Sequence, residues 1–238
     1  MIKTIKTMSK QEKERYTVPR KVQDVIPVRR IWPDGIFLVG NKFSKTYKFS
    51  DINYLVASRE DKESMFLTYS ELLNSLDSGA VTKITINNRR QNRATFETSI
   101  LMPMQGDFRD EYRREYNQML LDKATGANGI TQEKYITISV VKKDIEEARA
   151  YFARVGADLI SHFAALGSKC VELDATERLR ILHDFYRQGE ESEFVFNARE
   201  MMKRGHSFKD YICPDGIEKN SDYLKLGGKF CRVLFLKD

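Results

Sequence analysis

The sequence predicts an α+β fold, in which a mixed, mostly antiparallel sheet starts with a three-stranded meander and carries about four amphipathic helices. Two turn signals, Pro33-Asp34-Gly35 and Gly40-Asn41, separate three short strand-like segments and predict the meander. After these segments, patterns with the helical period alternate with patterns of period two, which indicates helices interleaved with strands. Of the 238 residues, 41% are hydrophobic and 31% charged, so the chain can bury a sizeable core and is not a disordered or fibrous protein.

Strands are predicted where short apolar or alternating runs lie between turn signals. The meander consists of Val28–Trp32, Ile36–Val39 and a third strand that begins at Phe43. Later strands are predicted at Val81–Asn87, Glu133–Val141, Lys169–Leu173 and Phe230–Leu236, with Glu193–Phe196 as a candidate edge strand. The strand at Phe230–Leu236 runs almost to the last residue, from which we expect the natural chain to continue beyond Asp238.

Four long helices are predicted from apolar residues that recur with the helical period. They run from Glu60 to Leu76, over residues 107–124, from Asp144 to Gly167 and from Asp174 to Gly189, and a short helix is expected at Ala198–Arg204. Ser58, Asp144 and Asp174 are the expected N-caps, because their side-chain oxygens can accept hydrogen bonds from the first turn.

An aromatic stripe marks the second long helix. Phe108, Tyr112, Tyr116 and Leu120 recur in four-residue steps, so they share one face of the helix. We expect this face to lie in the core. The tyrosines keep a polar edge, which leaves a partial interface role open.

The positive charge is concentrated at the start of the sequence. The net charge is +6, and residues 1–30 hold nine bases against three acids, so the remainder is formally neutral. We divide the chain into a basic flexible arm (1–20), an α+β core domain (21–190) and a C-terminal extension (191–238). The arm can contact nucleic acid, an anionic membrane or an acidic partner, or it can simply be solvated.

Motifs for catalysis and metal binding are missing from the sequence. There is no phosphate-binding G-x-x-x-x-G-K-[ST], no G-x-S-x-G, no H-E-x-x-H and no C-x-x-C. The histidines and cysteines lack the close spacing of zinc ligands; they are His162, His183, His206, Cys170, Cys213 and Cys231. We predict no catalytic, cofactor or metal site in this chain, and interpret the cysteines as buried thiols and His162 and His183 as boundary residues of amphipathic helices.

The targeting signals are equally sparse. No apolar run approaches the roughly 18 residues of a membrane span, and no apolar segment follows the basic start as in a signal peptide. The expected location is therefore the cytoplasm.

A basic, polar loop is predicted at residues 88–93. Arg89, Arg90 and Arg93 lie there among asparagines and a glutamine, and arginine can contact phosphate or stack on a base. The loop is the candidate contact with nucleic acid or with a partner. The simpler interpretation is a solvated loop, or arginines paired with acids of a neighbouring chain, and it is favoured because the rest of the chain is neutral.

Several stretches resemble the N-terminal region of conjugal-transfer ATPases of type IV secretion systems, the TraE/TrbE/CagE family, in the form carried by conjugative transposons. The resemblance lies in whole segments and extends from about residue 20 to the end. The segments are VQDVIPVRRIWPDGIFLVGNKFSKTYKFSDINY (22–54), ELLNSLDSGAVTKITINNRR (71–90), DEYRREYNQMLLDKATGANGI (110–130), EEARAYFARVGADLISHF (146–163), HDFYRQGE (183–190) and FKDYICPD (208–215).

The resemblance implies a longer protein with a RecA-like motor after residue 238. ATP and magnesium would belong to that motor, so no catalytic residue can be carried onto this chain. The region would be a non-catalytic docking and assembly domain, peripheral at the cytoplasmic face of the membrane. Its expected partners are inner-membrane subunits of the channel, with homo-oligomers forming through the motor. The alternative function is a single-stranded nucleic-acid-binding module that uses the basic loop and the arm.

Overall fold

A computed structural model describes residues 19–52, 54–90, 100–126, 130–191 and 193–236. Residues 1–18 of the predicted arm, and Arg93, lie outside these ranges. The helices are α1 (Val22–Val25), α2 (Arg59–Asn74), α3 (Asp110–Gly126), α4 (Ile145–Ala165), α5 (Ala175–Tyr186) and α6 (Ala198–Met201), and a 3-10 helix spans Phe208–Tyr211. The strands are β1 (Val28–Ile31), β2 (Phe37–Val39), β3 (Lys42–Phe49), β4 (Val81–Arg90), β5 (Ile130–Val140), β6 (Cys170–Glu172), β7 (Ile217–Lys219), β8 (Leu224–Leu226) and β9 (Lys229–Cys231).

The main sheet has the strand order β1-β2-β3-β5-β4, and every described pair in it is antiparallel. Strand β6 also pairs with β3. It lies along the last residues of β3, beyond the part of β3 that pairs with β2. Strands β7, β8 and β9 form a second, small antiparallel sheet. The predicted α+β fold with its starting meander is confirmed.

The turns of the meander lie where the sequence predicts them. Gly35 has φ +77°, and a Cβ at this position would overlap the carbonyl oxygen of Leu173. Gly40 has φ +61° at the second turn. Both glycines therefore adopt a left-handed conformation that other residues take only with strain.

The predicted N-caps of α2, α4 and α5 are also confirmed. The side chains of Ser58, Asp144 and Asp174 each accept a hydrogen bond from the backbone N–H three residues later. At α5 the carboxylate of Glu177 returns a bond by accepting from the N–H of Asp174, which completes a capping box.

The first of two apolar clusters lies between the sheet and α4. The predicted α4 stripe, including Phe152 and Leu159, is buried against Tyr47, Ile136 and Ile138 of β3 and β5. Helix α2 joins this side of the sheet through its buried Leu72 and packs on α4. The regular apolar stripe of α4 thus identifies it as a helix that packs against the sheet.

The second cluster lies on the opposite face, between α5, β1 and β2. Neighbouring strand residues point to opposite faces, and Phe43 belongs to the first cluster while Ser44 meets α5. The buried guanidinium of Arg178 in α5 donates to the carbonyl oxygens of Gly35 (2.7 Å) and Ser44 (2.6 Å) and to the Ser44 hydroxyl (3.1 Å). It also lies 4.0 Å from the ring centre of Phe37. Arg178 therefore joins α5 to the meander.

The C-terminal predictions need correction. Strand β9 is only Lys229–Cys231, and the remainder of the predicted Phe230–Leu236 strand has no strand partner among the described residues. Residues 193–196 form no strand; Phe194 and Phe196 instead pack against the second cluster. Apolar side chains here predict burial or strand propensity, but pairing needs a neighbouring strand edge.

Candidate functional site

Strands β4 and β5 continue beyond the rest of the sheet as a two-stranded ribbon. Strand β3 accompanies β5 only as far as Lys134, whereas the β4–β5 pairing continues to Arg90 and Ile130. The extra pairs, residues 87–90 with 130–133, extend the ribbon by about 13 Å at the usual rise of a strand. Residues 91–129 are inserted at its tip.

Two of the three basic residues predicted as a site, Arg89 and Arg90, lie on this ribbon. Arg89 pairs with Thr131 and Arg90 with Ile130, so the prediction of a loop starting at residue 88 is wrong for residues 88–90. Strand pairing with β5 overrides the polar composition that suggested a loop. The structure brings Arg89 and Arg90 together as consecutive strand residues, and Arg93 lies outside the described residues.

Helix α3 and the segment before it form most of the described insertion. The side chain of Asn117, the one buried residue among the described side chains of α3, binds the backbone of Met102 twice. Its amide oxygen accepts from the Met102 N–H and its amide nitrogen donates to the Met102 carbonyl, both at 2.9 Å. A polar residue thus holds the segment against the helix.

An arginine and two carboxylates close the start of α3. Arg113 pairs with Asp107 and, at 2.6 Å, with Asp110. A hydrogen bond from Arg113 lowers the pKa of Asp107, and the Gln105 N–H together with Arg113 lowers that of Asp110. The same contacts raise the pKa of Arg113, so all three groups stay charged at neutral pH.

The aromatic stripe of α3 is exposed, so the prediction that it lies in the core is wrong. Phe108 is 82% exposed, Tyr112 69% and Tyr116 43%, and Met119 on the same side is also exposed. We call these four side chains the aromatic face. Helical spacing identifies residues that share a face, but it does not reveal whether another element covers that face. Exposed apolar side chains that lie close together are a common feature of interaction surfaces.

Three buried titratable groups, Tyr47, Cys170 and His183, lie outside the aromatic face. Burial raises the pKa of the Cys170 thiol to about 11 and also raises the pKa of the Tyr47 hydroxyl, so both stay protonated at neutral pH. His183 is buried, with its ring 5.2 Å from that of Phe194, which corrects its prediction as a boundary residue. Sequence reasoning missed this because Phe194 closes over α5 from a segment without regular structure.

Two surface depressions of the described chain lie along α3 and beside β3 and β5. The one along α3 is lined by side chains of that helix alone. A cleft of about 410 Å³ beside β3 and β5 contains Lys48 and Lys134, whose charges are paired with Glu133 and Asp51. Within the described residues, no group of three or more His, Cys, Asp or Glu side chains could hold a metal ion.

Comparison with protein-family models and with curated proteins identifies no relative of this chain. No model of a known protein family matches the sequence, and no curated protein matches it significantly. Among the described helices, none combines the length and apolar character needed to cross a membrane.

Proposed function

We propose that this chain is the non-catalytic docking and assembly domain of a conjugative DNA-transfer ATPase of a type IV secretion system. The observation that carries the proposal is the aromatic face, exposed on α3 and just before it, in the part of the chain that follows β4 and precedes β5. The sequence resemblance supplies the identity of the system. The domain would tether the motor to inner-membrane subunits at the cytoplasmic face of the membrane.

The composition of the aromatic face suits protein binding. Tyrosine, phenylalanine, methionine and arginine are enriched in interface cores, and Arg109 lies with its guanidinium 5.3 Å from the Phe108 ring. Large aromatic side chains supply much of the binding energy when a partner buries them. Under this proposal the chain contributes binding, and ATP and magnesium act in a motor outside it.

A pull-down with matched variants tests the proposal. Full-length chain is incubated with the detergent-solubilised inner-membrane subunits of the same transfer system, and retention is measured for wild type and for Tyr112→Ser/Tyr116→Ser. We expect the double variant to lose at least about tenfold in affinity, because truncating one central aromatic residue can cost ~2 kcal/mol. Arg114→Ser, on the other side of α3, is the control.

Folding must be shown to be unaffected in each variant. Tyr112 and Tyr116 are exposed, so circular dichroism and the thermal midpoint should match wild type. Folded wild type that retains none of the subunits would refute the proposal. Equal retention by wild type and the double variant would refute the role of the aromatic face.

A second candidate function is binding of single-stranded nucleic acid. The observation that favours it is the place of Arg89 and Arg90 on the ribbon, together with the exposed aromatic rings in the segment that follows β4 in the sequence. Such rings can stack on bases while cations contact phosphates. Affinity for an oligonucleotide should then fall steeply with salt and weaken in Arg89→Gln/Arg90→Gln. A binding curve that is flat at low salt would exclude it.

A further inference from the structure

The two ends of the main sheet are built differently. At one end, β1 has four residues, and its register with β2 shifts between Val28 and Arg30. Short length and a bulge are two features that protect edge strands from pairing with other chains. At the other end, β4 has ten residues, lacks proline and pairs with β5 without a register shift.

The outer edge of β4 has no strand partner among the described residues. It therefore offers a row of backbone N–H and C=O groups to an added strand. The adjacent side chains are apolar: Ile84 is 45% and Ile86 56% exposed, although Ile84 faces the same side of the sheet as its buried neighbour Ile136. The helices thus cover the sheet up to β5 and leave β4 accessible.

We propose that β4 is a dimerisation strand, which pairs antiparallel with β4 of a second copy about a two-fold axis at Thr85. A two-fold axis perpendicular to the sheet allows only registers in which the same face of both copies lies on the same side of the joined sheet. In the register centred on Thr85, Ile84 lies opposite the partner's Ile86 and Ile86 opposite the partner's Ile84. The four isoleucines then form one apolar patch at the junction of the two sheets.

Charge selects this register among its neighbours. When the axis lies at Thr85, Lys83 stands opposite the partner's Asn87 and Arg89 opposite the partner's Val81, so like charges (Lys83 and the partner's Arg89) meet only diagonally. Moving the axis to Ile86 would place Lys83 opposite the partner's Arg89, which is unfavourable. Moving it to Ile84 shortens the overlap of the two strands. The register at Thr85 therefore combines long overlap, roughly eight to ten backbone hydrogen bonds, with no like charges directly opposite each other.

Sedimentation velocity on the full chain measures the association directly. Over roughly a hundredfold range of concentration we expect a reversible monomer–dimer equilibrium. Thr85→Lys places two ammonium groups directly opposite each other on the axis and should raise the dimer Kd by about tenfold. Asn88→Lys adds the same charge to an exposed position opposite the partner's Thr82 and should leave the Kd nearly unchanged.

Cysteine cross-linking reads out the register. In a Cys231→Ser background, Thr85→Cys should form a disulfide-linked dimer under mild oxidation, because directly opposite residues meet the geometry of a disulfide. Asn88→Cys is the control, since the two copies of residue 88 would lie about 20 Å apart. A monomer at every concentration, a Kd that Thr85→Lys does not raise above that of Asn88→Lys, or equal cross-linking of the two cysteine variants would overturn the proposal.

Discussion

Gly156 lies in the buried face of α4, where the helix approaches the sheet most closely. A Cβ at this position would lie 2.7 Å from Oε1 of Glu172 and 2.8 Å from the hydroxyl oxygen of Tyr47. Tyr47 is fully buried and its hydroxyl donates to the Phe152 carbonyl at 3.3 Å. Replacing Gly156 by alanine therefore tests whether close packing or helix propensity decides the stability of α4.

The two effects oppose each other. Alanine in a helix interior is favoured over glycine by about 1 kcal/mol. Overpacking a well-filled core costs about 1–3 kcal/mol, and displacing the Tyr47 hydroxyl from its acceptor adds about 1 kcal/mol. We therefore expect Gly156→Ala to lower the free energy of unfolding by about 1–3 kcal/mol. The thermal midpoint should fall by ~2–4 °C for each kcal/mol.

Urea denaturation followed by circular dichroism gives the free energy directly, and Ala157→Gly is the matched control. Ala157 is exposed on the same helix, so its replacement reports the propensity difference in α4 without the contact to the sheet. Gly156→Ala could instead raise the free energy of unfolding by the amount that Ala157→Gly lowers it. In that case Tyr47 moves aside at little cost in free energy, and the packing argument is wrong.

Three further outcomes are expected. Arg178→Met should lower the free energy of unfolding by about 2–4 kcal/mol in urea denaturation, since it leaves three buried acceptors without their donor; an unchanged midpoint would contradict this. Asn117→Ala should speed amide exchange at Met102 while the exchange of β5 amides stays the same, and equal protection in both proteins would show that the bonds do not hold the insertion. Because the folded pKa of Asp110 is lowered from 3.8, its contribution is present above that value and is lost as the pH falls through the folded pKa. The protection of the Gly106 amide, which donates to Asp110, relative to its intrinsic exchange rate should therefore fall in acid, and a rate that follows only the intrinsic pH dependence would count against it.

Local sequence signals predict turns and helix caps well, because only one kind of backbone or side-chain arrangement suits each of these positions. Gly35 and Gly40 adopt the positive φ that a tight turn requires, and Asp144 and Asp174 cap helices because their oxygens match the free N–H groups. The α4 stripe is regular enough to identify the helix that covers the sheet. Each of these features depends on a few neighbouring residues.

The candidate site was predicted poorly because it depends on distant pairing. Arg89 and Arg90 look like loop residues until β5 is placed beside them. Phe108 and Tyr112 look like core residues, since spacing alone is the same for a covered and an uncovered face. Composition and spacing single out these two segments, whereas their strand pairing and exposure follow from the tertiary arrangement.

The chain leaves the β4–β5 ribbon after Arg90 and returns to it at Ile130, and these two residues are paired neighbours. Closing a segment of about 40 residues there, instead of a two-residue turn, disfavours the pairing by roughly 2–3 kcal/mol. The β4–β5 register depends on this segment through the spacing of its two ends. A shorter segment with the same end spacing is therefore expected to preserve the pairing of β5 with both β4 and β3. Such an exchange would change what the tip contacts while the sheet stays the same.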